Sequence, residues 1–190
     1  MSYRSENMER GSALAAVPVA VACEDGRGAL APGLLRRAEY VASRAAARRA
    51  RAQIVGDGPA ADVVLSLTHS QGRGAAVALP AVLGVRAGID LEREGGLRAE
   101  LARYFLTDAE RRHVAEHARG LTELWTLKEA AWKALRLDDS VHFTALELRF
   151  DDAGEVDGLA LHGVTMPARA TLSRPWPGFV LAVVLVGAPA

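Results

Sequence analysis

The spacing of apolar residues changes in the middle of the chain, and this change restricts the fold more than any other feature of the sequence. Residues 121–135 are apolar at the three- and four-residue spacing of a helix. After Arg136 the spacing falls to two residues, which predicts strands at Leu146–Phe150, Leu159–Leu161, Ala168–Leu172 and Phe179–Val186. Consecutive strands joined by short turns pair as an antiparallel sheet. We therefore predict a helix packed on a largely antiparallel sheet.

The first half of the chain also predicts a helix and strands. Residues Leu34–Ile54 are rich in Ala and Arg and contain good helix formers throughout. Val63–Leu67 and Ala75–Leu79, joined by the turn Gln71–Gly74, have the composition of a hairpin. An earlier strand is predicted at Leu14–Val21, ahead of a glycine-containing loop.

The middle of the chain predicts one more strand, Val85–Leu91, followed by helices within Leu97–His117. Thr107 and Glu110 have the spacing of a capping box, which starts a new helix, so this segment is predicted to be two helices. The predicted fold is therefore α+β, a pseudo-dimer of two similar halves with helices packed on largely antiparallel sheets. These halves are residues 1–84 and 85–190.

Charge and cysteine content exclude several classes of protein. The 23 Lys and Arg residues equal the 23 Asp and Glu residues, so no net charge attracts nucleic acid or an anionic membrane. Cys23 is the only cysteine, which excludes an internal disulfide and fits a reducing cytoplasm. The apolar stretch before Cys23 is compatible with a lipoprotein cleavage site, but a single preceding arginine favours a buried strand. We expect a cytoplasmic protein that binds neither nucleic acid nor membrane.

Two acidic residues alternate on the predicted strand Val85–Leu91 and its continuation. In the motif Gly-Ile-Asp-Leu-Glu, Asp90 and Glu92 share one face of the strand. Adjacent carboxylates repel each other unless one is protonated or a cation bridges them. Oxygen ligands favour a hard ion such as Mg²⁺. The alternative interpretation of these residues, taken alone, is an ordinary solvated strand face.

The helix at residues 121–135 carries a third carboxylate and two lysines. Glu129 and Lys133 are four residues apart, so a simple surface ion pair accounts for both. In a functional interpretation Glu129 joins the metal ligands and Lys133 binds a phosphate on that metal. Lys128 lies at the edge of the apolar face, where it must extend to solvent or meet an anion.

Two shorter elements have both a structural and a functional interpretation. His69 and Ser70 lie at the end of a predicted strand, where they could bind phosphate oxygens or form a turn. Glu110 could accept a proton in catalysis, or serve only in the capping box.

Together these motifs resemble the 4′-phosphopantetheinyl transferases, in particular the long monomeric type that modifies carrier proteins of peptide and polyketide synthases. The family signatures Gly-x-Asp-x-Glu and Trp-x-x-Lys-Glu-Ala-x-x-Lys-Ala are similar to Gly88–Glu92 and Trp125–Ala134. Two shorter family elements are similar to Ser66–Ser70 and Phe105–Glu110. The helix that contains Arg44 is similar to the basic N-terminal helix of the family.

The resemblance implies an active site in the cleft between the halves, and it assigns roles to particular residues. It implies a Mg²⁺ site formed by Asp90, Glu92 and Glu129. It places the phosphates of coenzyme A (CoA) against Arg44, His69, Ser70, Lys128 and Lys133. The implied catalytic residues are Lys133 and Glu110, with Glu110 taking the proton of the attacking serine.

The activity implied by the resemblance is transfer of 4′-phosphopantetheine from CoA to a serine of an acyl or peptidyl carrier protein. The reaction releases 3′,5′-ADP, and the enzyme serves secondary metabolite biosynthesis as a monomer. Two departures from the family leave an alternative open. The stretch Val55–Val64 lacks a family loop that helps to hold the nucleotide, and residues 135–140 lack glycines. The alternatives are a non-catalytic protein of the same fold that binds CoA or a carrier, and a hydrolase of another phosphoanhydride.

Overall fold

Two antiparallel sheets form the β-structure of the protein. The computed structural model describes residue 14 and residues 17–26, 34–56, 62–81, 84–117 and 120–188. The first sheet has the order β1-β3-β2, with β1 at Ala20–Asp25, β2 at Val63–Ser70 and β3 at Arg73–Pro80. The second sheet has the order β4-β8-β7-β6-β5. Its strands are β4 Arg86–Arg93, β5 Leu146–Phe150, β6 Val156–Leu161, β7 Val164–Ser173 and β8 Phe179–Val186.

One long helix packs against each sheet. Helix α1, Leu35–Val55, covers the first sheet with small side chains, and its buried face includes Ala42, Ala46 and Ala50. Helix α4, Leu121–Leu135, packs on β4 and β8 of the second sheet. The described residues also include two shorter helices, α2 at Ala102–Phe105 and α3 at Asp108–His117, and 3₁₀ turns at Ala99–Leu101 and Phe143–Ala145.

The two sheets meet where β2 lies alongside β4. The amide of Ile89 in β4 donates to Ser66 Oγ in β2 at 3.3 Å. A single apolar cluster joins the two sheets at this point. It contains buried residues from both, including Val77 and Leu79 of β3, Ile89 and Leu91 of β4, and Leu181 of β8.

The predicted α+β class, with helices on antiparallel sheets, is confirmed. The predicted helix Leu34–Ile54 differs from α1 by one residue at each end. The predicted division of Leu97–His117 is also confirmed, because Thr107 N donates to Glu110 Oε2 at 2.7 Å and Glu110 N donates to Thr107 Oγ1 at 3.2 Å. The similarity of the two halves stays a prediction.

The first strand is displaced along the chain from its predicted position at Leu14–Val21. It begins at Ala20, within the predicted strand, and continues to Asp25, so that its last residues from Cys23 onward lie where a loop was predicted. The pairing Ala20↔Ala78 and Ala22↔Ala76 explains this position, since small residues of β1 and β3 fit beneath the alanine face of α1. Residues 15–16 and 27–33 lie outside the described residues. None of the described helices combines the length and apolar character needed to cross a membrane.

Candidate active site

Strand β4 presents two carboxylates toward α4. Ile89 and Leu91 are fully buried in the core shared by the sheets, so Asp90 and Glu92 project from the opposite face. Asp90 is 4% exposed and Glu92 is half-buried. The predicted shared face of these two residues therefore agrees with the burial pattern of the strand.

Gly88 explains how α4 comes close enough to this strand to contribute to the same site. A Cβ at this position would lie 1.9 Å from the carbonyl oxygen of Ala130 and 2.5 Å from the amide nitrogen of Ala134. Only a residue without a side chain permits such a close contact of backbones. The helix can therefore place Glu129 and Lys133 beside the carboxylates of β4.

Lys133 and Thr68 both bind the same oxygen of Asp90. Lys133 Nζ lies 2.5 Å from Asp90 Oδ1, and Thr68 Oγ1 donates to that oxygen at 3.0 Å. Thr68 belongs to β2, so the first sheet contributes directly to the carboxylate cluster. The sequence motifs assign no role to Thr68. The alternation of β2 was the available signal, since it places Ser66, Thr68 and Ser70 on one face.

Trp125 positions the second carboxylate of β4. Its Nε1 donates to Glu92 Oε1 at 3.2 Å. Its ring lies 4.9 Å from that of Phe105 in an edge contact and 5.0 Å from that of Phe143. The indole is thus fixed by aromatic packing while its N–H orients Glu92. In the sequence Trp125 is the first residue of a motif, and the motif does not predict this contact.

Burial and the charge of Asp90 raise the pKa of the two glutamates beside it. Burial and then the negative charge of Asp90 raise the pKa of Glu129 to about 7, with Lys133 opposing the shift. Burial and then Asp90 also raise the pKa of Glu92. Asp90 Oδ2 is buried and has no hydrogen-bond partner. The cluster of Asp90, Glu92 and Glu129 therefore has more negative charge than Lys133 neutralises.

This cluster fits a hard cation by its donor chemistry. All of its ligands are carboxylate oxygens, and Asp90 offers a buried oxygen that nothing else satisfies. As the side chains stand, no group of three or more His, Cys, Asp or Glu residues in the described ranges is arranged to hold a metal ion. Lys133 occupies the other oxygen of Asp90.

Glu110 and Lys128 form a separate, completely buried ion pair. Both side chains have 0% exposure, and Lys128 Nζ lies 2.9 and 2.8 Å from the two carboxylate oxygens of Glu110. Lys128 also donates to the carbonyl of Leu146, and Glu110 accepts from the amide of Leu148 at 2.8 Å. Burial lowers the pKa of Lys128, and the charge of Glu110 opposes this shift.

The enclosed position of this pair does not fit the predicted roles of its two members. Lys128 was predicted to contact pyrophosphate, and Glu110 to take the serine proton. Neither side chain has any exposed surface with which to touch a substrate. Their contacts instead join α3 and α4 to β5, which is a structural role. The capping role of Glu110 was the predicted alternative, and the structure contains that capping box.

The remaining predicted residues lie at different distances from the cluster. Ser70 lines a cavity of about 520 Å³ together with Glu92 and Trp125. His69 points from the other face of β2, where its Nδ1 lies 3.6 Å from Glu39 Oε2 of α1. Arg44 is exposed on α1, with its guanidinium 5.3 Å from the centre of the Tyr40 ring. The structure therefore brings Ser70 to the cluster but directs His69 toward α1.

Comparison with protein families gives one match. A family model described as the 4′-phosphopantetheinyl transferase superfamily matches residues 86–182. The matched segment is slightly more than half of the 190 residues. The chain belongs to this superfamily. The matched segment contains Asp90, Glu92, Glu129 and Lys133. No curated protein is similar enough in sequence to count as a match.

This chain is similar to several solved structures over part of its length. The holo-[acyl-carrier-protein] synthase of Thermotoga maritima is 25% identical with a TM-score of 0.45. The likeness covers 54% of this chain and 62% of the synthase, which is less than two thirds of its length. A holo-(acyl-carrier-protein) synthase from Bacillus anthracis, solved in complex with CoA (3′,5′-ADP), is 27% identical with a TM-score of 0.42. This likeness covers 96% of the Bacillus anthracis synthase and 54% of this chain.

Proposed function

We propose that this chain is a cytoplasmic, monomeric transferase that moves 4′-phosphopantetheine from CoA to a serine of an acyl or peptidyl carrier protein. The observation that carries the proposal is the carboxylate cluster of β4 and α4, with Lys133 bound to Asp90 Oδ1 at 2.5 Å. Membership of the superfamily supports the reaction class. The chain would belong to the long type, with halves at residues 1–84 and 85–190. This division is supported by the sheets, because the strands of each lie wholly within one half.

In this proposal Asp90, Glu92 and Glu129 hold Mg²⁺, which supplies positive charge to the pyrophosphate of CoA. Lys133 exposes about a third of its side chain, 32%, so its ammonium can donate to a phosphate oxygen. Thr68 and Trp125 keep Asp90 and Glu92 in place. The serine hydroxyl loses its proton to solvent as its oxygen bonds to the β-phosphorus, the bond from that phosphorus to the bridging oxygen breaks, and the bridging oxygen leaves with 3′,5′-ADP. Positive charge fixed beside the pyrophosphate stabilises the leaving group.

Two cavities beside the cluster suit a reaction with two substrates. One, of about 690 Å³, includes Lys133 in its lining, and the other, of about 520 Å³, includes Glu92. Each cavity borders the cluster, because Lys133 contacts Asp90 and Glu92 is a member of the cluster. CoA and the carrier serine can thus approach the same carboxylates from different sides.

The activity is tested by intact-protein mass spectrometry of an apo carrier protein incubated with this protein, CoA and Mg²⁺. We expect the carrier to gain the mass of one phosphopantetheine, and a chelator or Asp90→Ala to abolish the gain. Glu116→Ala, which changes an exposed carboxylate of α3, is the matched control and leaves the gain intact. The absence of a gain with several unrelated carriers, while CoA still binds, would contradict the proposal.

A second candidate is a non-catalytic protein that binds CoA or a carrier. It is favoured by one observation: the ion pair of Lys133 and Asp90 already neutralises part of the cluster, and the carboxylates do not converge on a common point. CoA binding separates the two candidates. Binding that needs Mg²⁺ and is lost in Glu92→Ala supports the transferase, whereas binding without the metal supports the second candidate.

A further inference from the structure

Arg73 of β3 is an almost fully buried cation at the junction of the two sheets. Its exposed fraction is only 5%, and the buried residues that follow it on the same face of β3 are apolar. Its guanidinium carbon lies 4.1 Å from the centre of the Phe179 ring and 5.1 Å from that of the Trp176 ring. Both rings belong to the second half of the chain, at or just before the start of β8, so this side chain spans the junction.

The burial of this cation has a cost that apolar packing would avoid. Asp25 of β1 forms an ion pair with Arg73, but its Oδ2 lies 3.5 Å from Nε, which is longer than a normal hydrogen bond. Arg73 Nε is buried without a hydrogen-bond partner among the described residues. A buried charge with an unsatisfied nitrogen costs free energy, whereas an apolar side chain of similar length could pack on the same rings. Stability alone therefore does not account for an arginine at this position.

Arg73 shares a face of the first sheet with the hydroxyl that binds the carboxylate cluster. In the register of β2 and β3, Ser70 is opposite Arg73 and Thr68 is opposite Ala75. Directly opposed residues of an antiparallel pair have their side chains on the same face of the sheet. Thr68 on this face donates to Asp90 Oδ1 at 3.0 Å. The hairpin of β2 and β3 therefore meets the second half of the chain through Thr68 and, closer to its turn, through Arg73.

The aromatic partners of Arg73 lie on the strand that pairs with β4. Phe179 is opposite Arg93 in the register of β8 and β4, and Arg93 directly follows Glu92. The contact between Arg73 and Phe179 therefore holds the first sheet against the two strands that support the cluster. Because the guanidinium is flat and stacks on ring faces, it restricts the orientation of the hairpin as well as its distance from β8.

We propose that Arg73 is a positioning residue for the transfer reaction. It fixes the hairpin of β2 and β3 against β8, so that Thr68 stays within hydrogen-bond distance of Asp90. This inference rests on the proposed function and adds a residue that lies outside the carboxylate cluster. Loss of the cation would let the hairpin shift, and Asp90 would then lose the donor that orients its Oδ1, while the apolar core keeps the protein folded.

Arg73→Met tests the inference, because methionine keeps an unbranched side chain beside the rings and removes the charge. We expect a Tm equal to or above that of wild type, since Asp25 is 35% exposed and can be solvated once its partner is gone. The rate of transfer per folded protein should nevertheless fall by roughly tenfold, chiefly in kcat, and Mg²⁺ should raise the Tm less. Arg169→Met, which removes an exposed arginine of β7, is the control and changes neither quantity.

A double-mutant cycle shows whether Arg73 acts through Thr68. Thr68→Val removes the hydroxyl that binds Asp90, so adding Arg73→Met to it should lower the transfer rate no further. Arg73→Lys keeps a cation beside the rings and should recover part of the rate that Arg73→Met loses. Effects of Thr68→Val and Arg73→Met that multiply would overturn the inference, and a parallel fall of Tm and transfer in Arg73→Met would show a structural role only.

Failure of the proposed function would have a different result. If wild type transfers nothing to any carrier, the transferase proposal fails, and the effect of Mg²⁺ on Tm then decides the role of Arg73. An equal Mg²⁺ effect in wild type and Arg73→Met, zero included, would overturn the inference in that case. Wild-type transfer that Arg73→Met leaves unchanged would overturn the inference alone and leave the proposed function standing.

Discussion

Asp90 is the side chain on which most contacts of the carboxylate cluster depend. It is 4% exposed, and Oδ1 receives both Thr68 and Lys133 while Oδ2 has no partner. A buried carboxylate that is only half satisfied costs free energy unless a further positive group is present. The same arrangement raises the pKa of the neighbouring Glu92 and Glu129, so these three residues act as one electrostatic unit.

Glu129 should therefore make stability depend on pH. In the unfolded chain this carboxyl ionises near 4.5, whereas burial and then Asp90 raise its folded pKa to about 7. Between these values the unfolded state releases a proton that the folded state keeps, so stability falls as pH rises. With chelator present, we expect the Tm of Glu129→Gln minus the Tm of wild type to be larger at about pH 8 than at about pH 5. Thermal unfolding measures this difference.

Magnesium provides the complementary test of the same residue. A cation binds the ionised carboxyl, so Mg²⁺ should raise the Tm of wild type more at about pH 8 than at about pH 5. Mg²⁺ should raise the Tm of Glu129→Gln less than it raises that of wild type. Glu116→Gln, an exposed carboxyl outside the cluster, is the control. A Tm difference between Glu129→Gln and wild type that stays constant across the pH range would contradict the prediction.

The buried pair of Glu110 and Lys128 should matter for stability rather than for turnover. Removing one member of such a pair leaves an uncompensated charge, which costs about 3–5 kcal/mol in free energy of unfolding. We expect Glu110→Ala to lose about this amount in denaturant unfolding, and the double replacement of Glu110 and Lys128 by Met to lose less. The conservative Glu110→Gln keeps the shape of the side chain and one acceptor oxygen, which can serve the amide of either Thr107 or Leu148, and it is the kinetic variant.

Turnover of folded Glu110→Gln decides between the two roles of this residue. Loss of a general base lowers rate by roughly 100-fold or more. We expect a much smaller change when the rate is normalised to folded protein. A loss of 100-fold or more at unchanged stability would show that Glu110 takes part in the reaction, despite its enclosed position.

At the scale of elements, the contact between α4 and β4 determines whether the site can form. Gly88→Ala would place a methyl group 1.9 Å from the carbonyl oxygen of Ala130, so the helix would have to move away from the strand. We expect a loss of about 1–3 kcal/mol or more in stability, together with loss of transfer, because Lys133 moves from Asp90. Gly96→Ala is the stability control, since its nearest contact would be at 3.5 Å. Denaturant unfolding and the carrier mass assay measure both effects; near-normal values for Gly88→Ala would contradict the prediction.

The elements were easier to predict from sequence than the contacts between them. Helix propensity and the capping box located α1 and divided Leu97–His117, because both signals are local. The displaced β1 shows the opposite case: its position follows from small residues that fit between β3 and α1, and no local signal records that fit. The pair of Lys128 and Glu110 was missed for the same reason, since the partners are 18 residues apart.

At the scale of the whole molecule, the carboxylate cluster lies where two sheets join. Thr68 reaches it from the first sheet, while Asp90 and Lys133 belong to the second half of the chain. Beneath this junction a shared core contains Val77 of the first sheet and Leu181 of the second. Arg73 of β3 adds a further contact, because its guanidinium lies 4.1 Å from the centre of the Phe179 ring.

This shared core predicts that the two sheets unfold together. All three tryptophans lie after residue 120, so their fluorescence reports mainly on the second half, although the Trp176 ring also lies 5.1 Å from the Arg73 guanidinium of the first sheet. Far-ultraviolet circular dichroism reports on both halves. Arg48→Gly, at an exposed position of α1 in the first half, weakens that helix by about 1 kcal/mol. If the halves are one cooperative unit, the fluorescence and dichroism midpoints should fall together, by roughly 2–4 °C. An unchanged fluorescence midpoint would mean that the second half unfolds independently, and a site built across the junction would then require the halves to dock after they fold.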